Sequence, residues 1–332
     1  MFNKSELSER GGEDQEFETW YAHWCPRNPG RFERTKIVFG QIVKQGEVAY
    51  DSEGDLYYSN MVYSPSLPSK IDPYPVVGLL NSTLVWYYIT RTSNVLRGGY
   101  YRYTKDYVKS IGIPVDRIPA TLSEEVEKLI QYRSNRDSLN LSLLDYLGNY
   151  IEGPNLPDIG FFQPNTKNIL DSTTEDYEKL QVERVRVERD GRAVTIEATA
   201  RYKPEEEDRF ETDSYGYTET DYFKAFTLTD LSNEEAALVE AFVPVAVDNE
   251  IGGFRDNATK TNSLIDRLKA ITLPDPNDVA DDLNRFIETK DRADELDEKI
   301  AKTDQLIDEI VYDLYDLTDE EIAIVEDAVQ DD

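Results

Sequence analysis

Between Arg91 and Lys109 the sequence carries five bases, Arg91, Arg97, Arg102, Lys105 and Lys109, against a single acid, Asp106. A second island, Arg27–Lys44, sets Arg27, Arg31, Arg34, Lys36 and Lys44 against Glu33 alone. Each island has a net charge of +4 in a chain whose formal charge is −31. Lys and Arg in such runs displace the counterions of a phosphate backbone, and Arg can also hold a guanine edge through two hydrogen bonds. Gly98 and Gly99 allow positive φ and close approach of backbone N–H groups to a phosphate. Tyr100, Tyr101 and Tyr103 are suited to packing, to stacking, or to donating hydroxyls to phosphate. The same residues could instead form a tight turn whose cations pair with surrounding acids. Spacing alone does not separate the two.

Other chemistries are poorly supplied. One cysteine, Cys25, and one histidine, His23, exclude an intrachain disulfide and a Cys/His zinc site. A nucleophilic triad would have to use His23, and no nucleophile-elbow motif accompanies it. Catalytic residues and metal ligands are therefore expected to be absent.

The elements that must hold the islands follow from patterning. Lys36–Val43, Glu47–Tyr50 and Leu56–Tyr63 are β-rich runs separated by turn signals, which predicts a small twisted sheet. "DPYPVVGLLNSTLVWYYITRTS" predicts one helix, with Pro75 in its first turn and Val77, Leu80, Leu84 and Tyr88 on one face. Gly78 and Ser82 would admit a neighbouring element there. Thr104 is placed to cap a brief helix through Ser110, and residues 122–150 read as helical. Alternating Val182, Val185, Val187 and then Val194, Ile196, Ala198 flank "RDGR", a hairpin signal, with a last strand near "FKAFTLT". Leu296, Ile300, Thr303, Ile307, Ile310, Leu314 and Leu317 are spaced by 4 and 3, a coiled-coil-like seam, and Thr318 with Glu321 forms a capping box.

The fold class expected is α+β. A small twisted β-sheet region with packed helices is joined by a β-hairpin insertion and a C-terminal helical, coiled-coil-like segment. The divisions expected are an acidic lead-in over 1–19, a recognition region over 20–120, helices and connector over 121–170, a β-rich insertion over 171–230, and a helical region over 231–332. The opening residues are polar, with no basic-then-apolar leader. "VVGLLNSTLVWYYI" is too short and too interrupted to span a bilayer. A cytoplasmic protein with no membrane partner is expected. Its 67 acids against 36 Lys and Arg are spread along most of the chain. Dispersed acidity suits a salt-rich cytoplasm, where at ~1 M salt the screening length is about 3 Å.

The stretch "VVGLLNSTLVWYYITRTSNVLRGGYYRYTKDYVKSIGIP" closely resembles the C-terminal specificity, or target-recognition, region of TaqI-like adenine DNA methyltransferases and fused restriction-modification enzymes. Leu79-Leu80-Asn81-Ser82, Trp86-Tyr87, Arg97-Gly98-Gly99, Lys105 and Ile113-Pro114 carry the pattern. "RFERTKIVFGQIV" and "VAYDSEGDLYYSNMVY" look like its preceding strands, and "LIDEIVYDLYDLTDEEIAIVE" like the usual close of such polypeptides. The resemblance covers roughly 20–120 and 290–327, and the 170–250 stretch is similar to an insertion of halophilic members. It implies a region that reads double-stranded DNA. Methylation would fall to a Rossmann-like domain that binds S-adenosylmethionine and carries Asn/Asp-Pro-Pro-Tyr/Phe. No such tetrapeptide occurs in this sequence, nor a Gly-rich cofactor loop. The cofactor is expected on a catalytic partner, for which a separate methyltransferase subunit is one candidate. The DNA-contacting residues expected are Arg27, Arg31, Arg34, Lys36, Lys44, Arg97, Gly98, Gly99, Tyr101, Arg102 and Lys105. Two further readings are a non-catalytic coiled-coil protein that docks on a methyltransferase subunit, and an acidic DNA mimic that inhibits DNA enzymes.

Overall fold

A computed structural model describes residues 32–58, 61–65, 67–205 and 209–330. The fold is α+β, and the chain divides into two compact units. One is Met1–Ser138 together with Glu295–Asp332, and the other is Leu139–Asp294.

In the first unit, β1 (Lys36–Gly40) pairs antiparallel with β3 (Val48–Asp51) and with β4 (Val62–Tyr63). Past Gly40 the same run continues as β2 (Ile42–Val43), which joins a different sheet. Gln41 is the joint: its N–H donates to Met61 O and its carbonyl accepts from Tyr103 N, each at 2.9 Å. The second sheet has the order β2–β6–β5, with β5 at Val95–Leu96 and β6 at Tyr100–Arg102. Among the described residues of the run Leu56–Tyr63, only Val62–Tyr63 is strand.

Two helices, not one, follow the first sheet: α1 (Pro73–Asn81) and α2 (Thr83–Thr92). Ser82 is extended, with ψ 153, and serves both. Its hydroxyl donates to Leu79 O at 2.7 Å and accepts from Val85 N at 3.3 Å, ending one helix and capping the next. The break also resets the helical face. Val77 and Leu80 are buried as the periodicity requires, but beyond Ser82 the buried residues are Val85, Trp86 and Ile89 rather than Leu84 and Tyr88.

The short helix α3 (Lys105–Val108) follows β6; Thr104 precedes it but makes no side-chain cap bond. α4 (Ala120–Asp137) ends well before the expected 150. Asn140 Oδ1 accepts from Ser142 N at 2.9 Å, a local turn that competes with helix, and α5 (Leu143–Leu147) is a separate piece in the second unit.

That unit is built on an antiparallel sheet. A hairpin of β9 (Glu178–Asp190) and β10 (Ala193–Lys203) turns at the Asp-Gly pair, and Gly191 takes φ +59. β10 also pairs with β12 (Phe223–Thr229) and the short β11 (Thr218–Glu219). The edge strand β8 (Phe161–Pro164) is added to β12. A small ladder joins β7 (Glu152–Asn155) to β13 (Thr272–Pro274). Inward-facing Val194, Ile196, Ala198 and Phe226 pack with Leu238, Val239, Phe242 and Val243 of α6 (Asn233–Asp248). α6 opens with a capping box between Ser232 and Glu235. α7 is Leu264–Lys269.

The long helix α8 (Pro276–Leu314) begins in the second unit and ends in the first, where α9 (Asp319–Gln330) follows it. Thr318 and Glu321 make the expected capping box. Ile307 and Leu314 of the apolar seam are buried in the first unit's own core, beside Val311. Arg133 and Arg136 of α4 reach Asp304 and Asp297 of α8. At Gly78 the close approach is real: a Cβ there would overlap Val126 Cγ2 of α4 and lie 3.7 Å from Ile307 Cγ2.

Candidate nucleic-acid interface

The three-stranded sheet β2–β6–β5 joins the two basic islands. Ile42 lies opposite Arg102 and Val43 opposite Tyr101; across the other edge, Leu96 lies opposite Tyr100. Strand alternation sorts the side chains. Val43 and Tyr101 turn inward and are buried, with the Tyr101 ring edge-on to Trp86 of α2 at 5.4 Å between centroids. Tyr100 and Arg102 turn outward, and Lys44 lies over the Tyr100 ring at 5.0 Å, within cation–π range.

Arg97, Gly98 and Gly99 form the loop between β5 and β6. Both glycines are left-handed, with φ +87 and +74, a conformation that costs an L-residue about 1–2 kcal/mol. A Cβ on Gly98 would meet only the Tyr100 ring, and one on Gly99 nothing within 4 Å. The glycines therefore serve backbone shape, and the loop surface is open. Ser93 closes the base of the hairpin: its hydroxyl accepts from Arg102 N at 3.0 Å and donates to Arg102 O at 2.8 Å.

Among the described residues no carboxylate forms an ion pair with Lys44, Arg97 or Arg102, whereas the charge of Lys105 acts on Asp106. In the same unit Arg117, Arg133 and Arg136 each rest on an aspartate of the C-terminal helical stretch. In a chain of charge −31, unpaired cations on one ribbon form an exposed positive site. Lys109 is neutralised locally by Asp106 at 2.8 Å, and that bond and charge hold the Asp106 carboxyl below its usual range.

The remaining expected contacts are placed differently. Arg27 and Arg31 lie outside the described residues, as do His23 and Cys25. Arg34 is exposed. Lys36 is not on the surface: it sits opposite Asp51 in the β1–β3 register, pairs with its carboxylate, and donates to Phe32 O at 2.6 Å. Asp51 Oδ1 accepts from Gly54 N at 2.7 Å, and Oδ2 from Leu56 N at 3.1 Å. Burial pushes the Asp51 carboxyl up, but Lys36 and the Leu56, Gly54 and Asp55 N–H groups together hold it below its usual value. Lys36 therefore closes a buried knot, and Tyr101 is core.

Leu-Leu-Asn-Ser-Thr is the junction that positions the ribbon. The Asn81 amide accepts from Val48 N and donates to Val48 O, both at 2.8 Å, imitating a strand partner. The Leu80 carbonyl accepts from the buried Tyr103 hydroxyl at 2.9 Å, and burial pushes that phenol above its ordinary range. Thr83 donates through its N–H and hydroxyl to Asp308 of α8, at 2.8 and 2.6 Å.

Burial and the nearby Asp304 and Glu326 raise the Asp308 carboxyl above its usual value, against the Thr83 bonds that lower it. A raised folded value means that ionised Asp308 costs stability, a cost absent below the unfolded value near ~3.9 and complete above the folded one. Asp308→Asn, uncharged but able to bond Thr83 at both positions, should match or exceed the wild type at pH 7. That advantage should vanish below about pH 4. Asp308→Ala should lose about 1–2 kcal/mol with the two Thr83 bonds. Urea unfolding of the three proteins at both pH values checks this.

Among the described residues no group of His, Cys, Asp or Glu could hold a metal ion. None of their helices is long and apolar enough to cross a membrane. Residues 6–115, about a third of the chain, match the family model of the TaqI-like C-terminal specificity domain. No curated protein matches the chain.

Proposed function

We propose that this chain is the sequence-reading part of an adenine-specific DNA methyltransferase or restriction-modification system, with methyl transfer carried by a catalytic methyltransferase unit that binds S-adenosylmethionine. The β5–β6 hairpin enters the major groove, whose width of about 12 Å admits a two-stranded ribbon. Arg97, Arg102, Lys105 and Lys44 contact phosphates and base edges, with Gly98 and Gly99 next to the backbone. The observation that carries this reading is the set of unpaired cations on one ribbon, inside the segment that matches a specificity domain.

Two other readings have less support. Ile307 and Leu314 of the seam that would dock a partner helix lie in the first unit's own core, with Ile300 and Ile310 packed against it, and exposed cations do not suit a DNA mimic. The surrounding acidity suits a salty cytoplasm. There the counterion term shrinks, and base-edge contacts carry more of the binding.

Offered a pool of random-sequence duplexes, the full chain should enrich a short motif at low salt and keep it at about 1 M salt, where the screening length is about 3 Å. A pool recovered unchanged in composition at both salts overturns the reading.

A further inference from the structure

The geometry points to Ile42 as a specificity residue that reads the C5-methyl group of thymine; this rests on the DNA-reading role proposed for the ribbon. Ile42 lies directly opposite Arg102, so the pleat puts both on one face of the sheet, with Tyr100 two residues away on the strand of Arg102 and Lys44 just past the end of β2. The 5.0 Å stacking of Lys44 on Tyr100 places these two on a common side. The opposite face holds the buried Val43 and Tyr101.

On the outward face, Arg102 and Lys44 are charged and Tyr100 has a hydroxyl. Ile42 is purely aliphatic and 43% exposed. An aliphatic side chain adds nothing to a phosphate contact, which requires charge or hydrogen-bond donors. In the major groove the apolar feature of the base pairs is the thymine methyl, and apolar side chains are what contact it. Ile42 stands beside a cation able to bind the groove, on the face turned away from the first unit's core. It is placed to desolvate that methyl group while Arg102 anchors the strand.

The motif that the full chain enriches from random duplexes is resynthesised with each thymine in turn replaced by deoxyuridine, which removes only the methyl. Affinities are measured by fluorescence anisotropy for the wild type, Ile42→Val and Ile42→Ala. At one thymine the replacement should weaken the wild type about fourfold, the worth of one buried carbon. Ile42→Val should keep that loss, and Ile42→Ala should bind the two duplexes alike. If no thymine responds, or if Ile42→Ala responds as the wild type does, Ile42 does not read the methyl, although the ribbon still reads DNA. If no motif is enriched, the DNA-reading role falls and this inference with it.

Discussion

Replacing Arg97 and Arg102 together by alanine should abolish sequence-selective retention of DNA at molar salt. Each guanidinium that holds a base edge is worth about 1–3 kcal/mol of discrimination. Losing two weakens cognate binding by roughly thirtyfold at the least, and by roughly twenty-thousandfold at the upper end. The protein itself should survive, because Arg97 and Arg102 are exposed and the Ser93 bonds to Arg102 use only its backbone. Substitutions of exposed side chains of this kind stay within about 0.5 kcal/mol of wild-type stability. Titration of the enriched duplex at several salt concentrations separates the roles. Removing a side chain that holds a phosphate should lower the salt slope by about 1 and weaken all sequences alike, whereas removing one that reads a base relaxes preference at one position. Unchanged retention of the cognate duplex by the double variant would remove these arginines from the interface.

The second large effect lies beneath the surface. Lys36→Met leaves the Asp51 carboxylate buried without its cation, and removal of one partner from such a pair costs about 3–5 kcal/mol. The loss should appear in denaturant unfolding followed through aromatic fluorescence. It should bring with it disorder of the 51–56 turn, whose N–H groups converge on Asp51. The pH dependence has a definite sign. Because the Asp51 carboxyl is held below its ordinary value, its contribution is present above the unfolded value near ~3.9 and is lost as pH falls through the lowered folded value. The gap between wild type and Lys36→Met should therefore be widest near neutrality and close in acid. DNA affinity of the folded variant should hardly change, since Lys36 does not face the ribbon. A large drop in affinity with stability intact would contradict that placement.

These two experiments divide a basic island that looks uniform in sequence. Lys36 and Lys44 are both lysines in one +4 run, yet one is sealed by a cross-strand aspartate and the other stands on an exposed tyrosine ring. The difference comes from Asp51, placed opposite Lys36 by the β1–β3 register, and strand spacing does not reveal that register. From the motif, Tyr101 and not Tyr100 is the tyrosine expected at the DNA. The pleat separated them, because Trp86 covers only the inward side. The single helix expected across Leu-Leu-Asn-Ser became two, because the Ser82 hydroxyl bonds both turns and the Asn81 amide is drawn to β3. Propensity favours continuing the helix, and long-range hydrogen bonds outweigh it.

Much was legible without coordinates. Local chemistry determined the Asp-Gly hairpin of the second unit, the Thr318–Glu321 cap, the close approach at Gly78 and the Arg-Gly-Gly loop. Each depends on residues near one another in the chain, or on a missing side chain that nothing else can supply. The motif run from Leu79 to Pro114 was enough to indicate the specificity-domain family. What only the tertiary structure decided is which cations meet. Lys44 and Arg102 come from islands more than fifty positions apart, and they share a face only because the first sheet's strand bends at Gln41 and pairs with β6. Charge along a chain is a local property. The field at a surface depends on which charges are buried, paired or left open, and long-range pairing settles each of these.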